Sequence, residues 1–154
     1  MANRPVHKDA SVPQLMRDAR NVYRNAIREA LAAAGYDDIP RNGAFVLAGL
    51  DYRAPDPFSS QADVVSSLGL SKQMASQLID TLVLREYLER RNDPVDRRRM
   101  EIRLTARGRS AAVEIEKAVG AIDAAVANLI TADEFQRLRS SLAAYRVIHE
   151  RSGN

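Results

Sequence analysis

A change of hydrophobic period in the middle of the chain limits what this sequence can fold into. Over residues 72–85 apolar side chains recur at the spacing of an α-helix, whereas from Met100 to Leu104 they alternate with charged side chains, as on a β-strand. Residues 87–91 form a second candidate strand, and the Asn-Asp-Pro at 92–94 is typical of a turn. The pattern predicts a helix followed directly by a two-stranded hairpin.

The helix predicted at 72–85 has one apolar and one polar face. On a wheel of about 100° per residue, the arc that we expect in the core holds Met74, Ala75, Leu78, Ile79 and Leu82. The opposite arc holds hydrogen-bonding side chains, namely Gln73, Ser76, Gln77 and Asp80. Ser71 is a candidate N-cap, and Gly69 provides a tight turn after a short helix that a capping-box pattern at 60–63 starts. This order of elements is that of a winged helix-turn-helix.

Positive charge is concentrated in the hairpin and its flanks. Between Arg85 and Arg109 there are nine arginines and five acidic residues, a net charge of +4, although the whole 154-residue chain carries only +3. A local basic excess indicates a polyanionic partner. A helix fits the major groove of B-DNA, and an arginine-tipped hairpin beside it can reach the adjacent minor groove. The combination favours binding of double-stranded DNA.

Each of these features has a simpler interpretation when it is taken alone. A polar helix face and a basic turn are most often solvated surface, and the arginines of a winged-helix module can also meet an acidic protein. A protein-binding winged-helix module therefore stands as the alternative to a DNA-binding regulator. An enzyme is the weakest hypothesis, since there is no glycine-rich phosphate loop and no cysteine, and the only histidines are His7 and His149. For the same reason we expect neither a metal site nor a cofactor.

Residues 60–108 resemble the MarR family of bacterial transcriptional regulators. The resemblance is most specific in the hairpin, where Asp96 and Arg98 match the family's D-x-R pattern. The Leu-Thr-Ala-Arg-Gly at 104–108 matches its L-T-x-x-G pattern. The motifs span about a third of the chain, and the flanking predicted helices fit the family in length and order.

The resemblance implies DNA contacts for nine residues. Five fall on recognition-helix positions and four on the wing: Ser71, Lys72, Gln73, Ser76 and Gln77, then Asp96, Arg97, Arg98 and Arg99. Arg98 matches the arginine that probes the minor groove, and Asp96 matches the acid that holds it. A charge-assisted bond between the two would order the arginine before it binds. Arg97 and Arg99, on either side, are expected on backbone phosphates.

The sequence departs from the family at one position. Family members commonly place a glycine after the recognition helix, where this chain has Glu86. If the backbone there needs a positive φ, a glutamate costs about 1 kcal/mol, which brings the angle between helix and wing into question. Arg90 and Arg91, on the first strand of the wing, fit phosphate contacts and solvated strand ends equally well.

Long helices are predicted on both sides of this segment. Apolar stripes of helical period run over residues 12–34, between an N-cap at Ser11 and a stop at Gly35, and again over 113–130 and 135–148. We therefore expect a mainly α fold with a small β-hairpin: one domain over 1–154, with a winged helix-turn-helix at 42–108 between dimerisation helices at 12–34 and 110–150. A homodimer with two-fold symmetry would read a palindromic operator, although the stripes also fit one intramolecular bundle.

The resemblance further implies a repressor that a small aromatic or anionic effector releases from DNA. Arg20, Tyr23, Arg41 and Phe45 are conceivable cleft residues, but each fits a core or surface position equally well, so the ligand-binding residues stay unknown. A switch based on cysteine oxidation is excluded because the chain has no cysteine. No apolar run approaches ~18 residues, so we expect no membrane association and a cytoplasmic location.

Overall fold

The computed structural model of the chain describes residues 10–51, 59–60, 62, 65, 69–92 and 100–152. Its elements are α1 (Val12–Ala33), α2 (Gly43–Asp51), β1 (Ser59–Ser60), α3 (Lys72–Leu84), β2 (Leu88–Asn92), β3 (Met100–Leu104), α4 (Ala106–Leu129) and α5 (Ala132–Ser152). The chain divides into two compact units, Met1–Ala118 and Val119–Asn154. The prediction of a mainly helical fold with a small antiparallel hairpin is confirmed.

Helix α1 begins and ends where the sequence signals place it. Ser11 donates its N–H and its hydroxyl to Oε1 of Gln14, which closes a capping box at the first turn. At the other end Gly35 has φ 80°, and the N–H of Tyr36 donates to the carbonyl of Leu31 at 2.8 Å. This is the Schellman arrangement, in which a residue with a left-handed backbone lets two N–H groups satisfy free carbonyls of the last turn.

The sheet has one strand more than the sequence predicted. Strand β3 lies in the middle of the order β1-β3-β2, and both of its neighbours are antiparallel to it. Ser60 in β1 pairs with Glu101 in β3, so the first residue of the predicted capping box lies at the end of a strand. The capping box itself stays a prediction, because Gln61 and Asp63 lie outside the described residues. Ala62 and Val65 are helical, whereas the other residues of the predicted short helix lie outside the described residues. A two-residue strand carries no periodicity of its own, since its pairing partner supplies its conformation.

The core of the first unit forms where helices α2 and α3 meet the hairpin. Helix α2 packs on α3 and on β3, and α3 packs on β2. The largest fully buried side chains come from each of these elements and from α4: Leu47, Ile79, Leu82, Tyr87, Leu88, Ile102 and Ile115. Each such side chain contributes roughly 1.5–3 kcal/mol when it leaves water. This packing holds α3 and the hairpin in fixed relation to each other.

Helix α5 belongs to the second unit and starts at a closed capping box. Thr131 donates its N–H and hydroxyl to Oε2 of Glu134, each at 2.8 Å, and the Glu134 N–H donates back to the Thr131 hydroxyl at 3.2 Å. The N–H of Thr131, followed by its hydroxyl, holds the pKa of the Glu134 carboxyl below its ordinary value. Further along the helix the apolar side chains are exposed: Leu138, Leu142, Tyr145, Val147 and Ile148. Within the described residues, no helix is both long and apolar enough to cross a membrane.

Candidate nucleic-acid interface

Helix α3 is fixed at its start by a side-chain cap and along its length by its apolar face. Ser71 has an extended backbone, and its Oγ accepts the N–H of Met74 at 3.2 Å, as an N-cap serine does. Ala75, Ile79 and Leu82 are fully buried against the rest of the first unit. The helix therefore presents its opposite side to solvent at a set angle.

The polar residues predicted on this helix do share its accessible side. Ser71, Lys72, Gln73 and Gln77 are exposed and Ser76 is half-buried. The prediction for Met74 was wrong, since its side chain is 53% exposed and is not part of the core. Met74 lies roughly 100° around the helix from the centre of the buried arc, at its edge. A helical wheel gives only the direction of a side chain, so it could not show that the packing partners of α3 stop short of Met74.

The described part of the wing consists of the paired strands β2 and β3. The last residue pair of the ladder is Asn92 with Met100. Asp96, Arg97, Arg98 and Arg99 lie outside the described residues, so their predicted roles stay predictions. Lower on the wing, Nη2 of Arg90 lies 2.7 Å from Oδ1 of Asp80, which joins β2 to α3. Arg91 is likewise paired, with Glu89 at 3.0 Å.

The corner between α3 and β2 has the backbone geometry that usually selects glycine. Glu86 has φ 61°, the only positive value at a non-glycine residue in the described part of the chain. The N–H of Glu86 donates to the carbonyl of Val83 at 3.0 Å, and that of Tyr87 donates to the carbonyl of Leu82 at 2.9 Å. The corner is thus a complete Schellman motif with a glutamate at its left-handed position.

The Leu-Thr-Ala-Arg-Gly segment joins that corner to the start of α4. Thr105 donates its N–H to the carbonyl of Tyr87 at 3.1 Å and its hydroxyl to the carbonyl of Glu86, and its Oγ1 accepts the N–H of Gly108 at 3.0 Å. A Cβ at Gly108 would lie 2.1 Å from the Tyr87 carbonyl oxygen, so only glycine allows this approach. The segment that resembles the family's L-T-x-x-G pattern therefore has a structural role, since it bonds the end of β3 and the start of α4 to the corner between α3 and β2.

A polar cluster that the sequence analysis missed also contacts this corner, through Arg85 and Tyr87. It consists of Asp38, Arg85, Tyr87 and Arg107, and is called the Asp38 cluster below. The hydroxyl of Tyr87 donates to Oδ1 of Asp38, and Nη2 of Arg107 lies 3.1 and 3.2 Å from the two Asp38 oxygens. Arg85 donates to the backbone carbonyl of Asp38. The Arg107 guanidinium also lies over the Tyr87 ring, 4.4 Å from its centroid.

The cluster shifts the pKa values of its acid and its phenol in opposite directions. The hydrogen bond from Tyr87, and then the charge of Arg107, hold the pKa of the Asp38 carboxyl below its ordinary value. Burial, together with the bond to Asp38, raises the pKa of Tyr87 to about 12. The site is therefore built for an ionised carboxylate and a protonated phenol.

A cavity of about 770 Å³ is lined in part by the loop that carries Asp38. The lining residues come from α1, from the loop at 36–41 and from the start of α2. They include Arg24, Arg28 and Arg41 beside apolar side chains, among them Ile27, Leu31, Tyr36, Ile39 and Phe45. Of the residues considered from the sequence, Arg41 and Phe45 line the cavity, and the Arg20 guanidinium lies 5.7 Å from the centroid of the Phe45 ring. Tyr23 is not among the lining residues.

These elements define a winged-helix domain, because a capped helix with a polar face is followed at once by an antiparallel wing. The MarR family model matches residues 38–99, from Asp38 to the residue before β3. The resemblance to the MarR family is thereby confirmed. Among curated proteins no sequence matches this chain.

Solved structures of low sequence identity share the fold. A mutant of MepR from a multidrug-resistant S. aureus clinical isolate is 18% identical over 90% of this chain and 97% of its own, with a TM-score of 0.73. CouR from Rhodococcus jostii RHA1, bound to p-coumaroyl-CoA, is 22% identical over 88% and 91%, with a TM-score of 0.69. CouR, a transcriptional repressor, has also been solved on a 23-mer DNA duplex, at 22% identity over 88% and 92% and a TM-score of 0.69. Wild-type MarR from E. coli, in its apo form, is 20% identical over 88% and 96%, with a TM-score of 0.64.

Proposed function

We propose that this protein is a sequence-specific regulator of transcription that binds double-stranded DNA as a homodimer. It acts as a repressor in the cytoplasm, and a small-molecule effector releases it from its operator. The observation that carries the proposal is the exposed side of α3, where hydrogen-bonding side chains are held on a helix that Ala75, Ile79 and Leu82 anchor in the core. The match to the MarR family supports a regulator and not an enzyme.

In this proposal α3 lies in the major groove and the wing in the adjacent minor groove. Gln73, Ser76 and Gln77 bond to base edges, while Ser71 and Lys72, at the start of the helix, reach phosphates. Arg98 enters the minor groove, Asp96 holds its guanidinium, and Arg97 and Arg99 contact phosphates on either side. The Asp80–Arg90 ion pair supports this arrangement because it fixes the base of the wing to the helix.

The exposed apolar residues of the long helices support a dimer. In α1 the half before Tyr23 leaves Val12, Leu15, Met16 and Val22 between 40% and 51% exposed. In the second unit, α5 exposes its own apolar set along its length. Apolar surface of this extent on helices is typical of an interface with a second copy. Two copies related by two-fold symmetry would place two α3 helices on successive turns of a palindrome.

The cavity beside α1 is the proposed effector site. Its apolar wall suits an aromatic or acyl group, and Arg24, Arg28 and Arg41 suit an anionic group on the same molecule. The binding of p-coumaroyl-CoA by CouR is in keeping with an effector that combines an aromatic part with negative charge. Such a molecule releases DNA only if it binds better to the conformation that does not fit the operator.

The dependence of DNA affinity on salt tests the proposal. DNA fragments retained by the purified protein supply an operator, and fluorescence anisotropy then gives its Kd over a series of salt concentrations. The expected plot of log affinity against log salt falls steeply, by about 0.9 for each phosphate that the protein neutralises. Lys72→Ala should reduce that slope by about 1. Lys117→Ala is the matched control, because this exposed lysine pairs with Glu114 on α4 and has no proposed contact with DNA.

The protein-binding alternative predicts a different result. A module that recognises an acidic protein would retain no preferred DNA fragments, and its weak affinity for DNA would not distinguish Lys72 from Lys117. That outcome would refute the proposed function.

A further inference from the structure

An apolar side chain interrupts the polar surface of α3. Met74 is 53% exposed and stands between Ser71 and Gln77, which lie three residues before and after it. Residues at this spacing are neighbours on a helix surface, so the three side chains form one row. The side of α3 that is proposed to face the base edges is thus polar except at Met74, which is apolar.

The first turn of α3 holds Met74 in a defined direction. Its N–H is bonded to Oγ of Ser71, which places it in the third position of the helix. In helix-turn-helix proteins the residues near the start of the recognition helix are the ones that reach base edges. A methionine at this place can follow an irregular surface, because its unbranched side chain has several rotatable bonds.

The major groove offers one apolar group to such a side chain. Hydrogen-bond donors and acceptors line the base edges, and the C5-methyl group of thymine is the exception. We propose that Met74 packs against the methyl group of a thymine in each half of the operator and so selects that base pair. This inference rests on the proposed function, since it needs α3 in the major groove. It makes Met74 a determinant of specificity that hydrogen-bond inventories overlook.

Replacement of thymine by deoxyuridine isolates this contact, because it removes the methyl group and leaves the Watson–Crick pair intact. Each symmetric pair of operator thymines is replaced in turn, and the Kd is measured for the parent protein and for Met74→Ala. One buried methyl group corresponds to about a fourfold change in affinity, so we expect roughly a sixteenfold loss at one symmetric pair of thymines. Met74→Ala should bind the thymine operator more weakly and lose nothing further when that pair becomes deoxyuridine.

Leu84 provides the matched control on the same helix. Its side chain is 82% exposed, and it lies ten residues, about 15 Å along the axis, beyond Met74. Leu84→Ala removes a similar apolar side chain and should keep the full discrimination between thymine and deoxyuridine. Met74→Gln, which has a similar length, serves as a second variant, and thermal unfolding checks that each variant is folded.

Two results would overturn the inference and leave the proposed function intact. If Met74→Ala and Met74→Gln keep the parent's response to deoxyuridine at every thymine, Met74 reads no methyl group. If deoxyuridine costs nothing at any position in the parent, no such contact exists. If the parent itself binds no DNA fragment, the proposed function fails together with the inference, and the first binding curve already distinguishes that case.

Discussion

The residue at the corner between α3 and β2 allows a direct test of how the backbone holds the wing. Glu86 has φ 61°, a conformation that costs a residue with a side chain about 1–2 kcal/mol and costs glycine almost nothing. Glycine in turn stabilises the unfolded chain by about 0.4–1 kcal/mol through its greater freedom. Glu86→Gly should therefore raise the free energy of unfolding by about 0.5–1 kcal/mol.

Two variants separate the backbone effect from the loss of the side chain. The Glu86 carboxylate attracts the Arg107 guanidinium, so its removal has a small effect of its own. Glu86→Ala removes the carboxylate and keeps the strained backbone, and it should not stabilise the protein. Gly35→Ala is the reverse experiment at the end of α1. That glycine has φ 80° in the same motif, and a Cβ there would meet no atom within 4 Å, so the variant should lose about 1 kcal/mol through the backbone alone.

Urea unfolding at one fixed protein concentration measures these differences. With an m value of about 2 kcal/mol per molar, the midpoint of Glu86→Gly should rise by about 0.25–0.5 M. Both backbone hydrogen bonds of the corner, and the Glu86 carbonyl that accepts from Thr105, stay available in every variant. Equal midpoints for Glu86→Gly and Glu86→Ala would refute the reasoning, because the left-handed backbone would then carry no cost.

Five further perturbations have defined outcomes. Gly108→Ala forces a Cβ to within 2.1 Å of the Tyr87 carbonyl and should cost on the order of 3 kcal/mol in urea unfolding, whereas Gly120→Ala, in open space on the same helix, should not destabilise. The pKa of Asp38 is lowered, so its ionised carboxylate stabilises the fold fully above the ordinary pKa of 3.8. That stabilisation is lost as the pH falls through the lowered pKa, and Asp38→Asn should make the free energy of unfolding depend less on pH in this acidic range. Tyr87 has a pKa raised to about 12, so the stability due to its protonated phenol is complete below pH 10 and is lost between pH 10 and 12, a loss that Tyr87→Phe should abolish. Arg98→Ala should weaken operator binding severely without lowering the melting temperature, and Gln73→Ala should change which base pairs are preferred; loss that is uniform across sequences would mean that Gln73 contacts only the backbone.

Local signals were sufficient for the elements that carry their own pattern. Strand β3 has the predicted bounds, because strict alternation from Met100 to Leu104 leaves one choice of face. The limits of α1 follow from Ser11 and Gly35, which act through backbone groups only a few residues away. At Glu86 the resemblance to the MarR family identified a position where glycine is usual and left open whether its backbone has a positive φ, which the folded chain answers with φ 61°.

Features that depend on distant parts of the chain could not be predicted in this way. Strand β1 exists because Ser59 and Ser60 pair with Ile102 and Glu101, more than forty residues later. Met74 was assigned to the core because a wheel gives direction around the helix and not the extent of the packing partner. In both cases the local sequence fits the observed structure and does not determine it.

The Asp38 cluster is the clearest example of a non-local feature, and it connects two sites that look separate in the sequence. Asp38 binds side chains 49 and 69 residues away, and no pattern around any one of them predicts the others. Tyr36, two residues before Asp38, lines the cavity and packs edge-on against Tyr87 at 6.2 Å between ring centroids. Tyr87 in turn completes the Schellman motif that ends α3. One loop therefore forms a wall of the cavity and also fixes the end of the helix proposed to read DNA, through contacts that only the folded chain brings together.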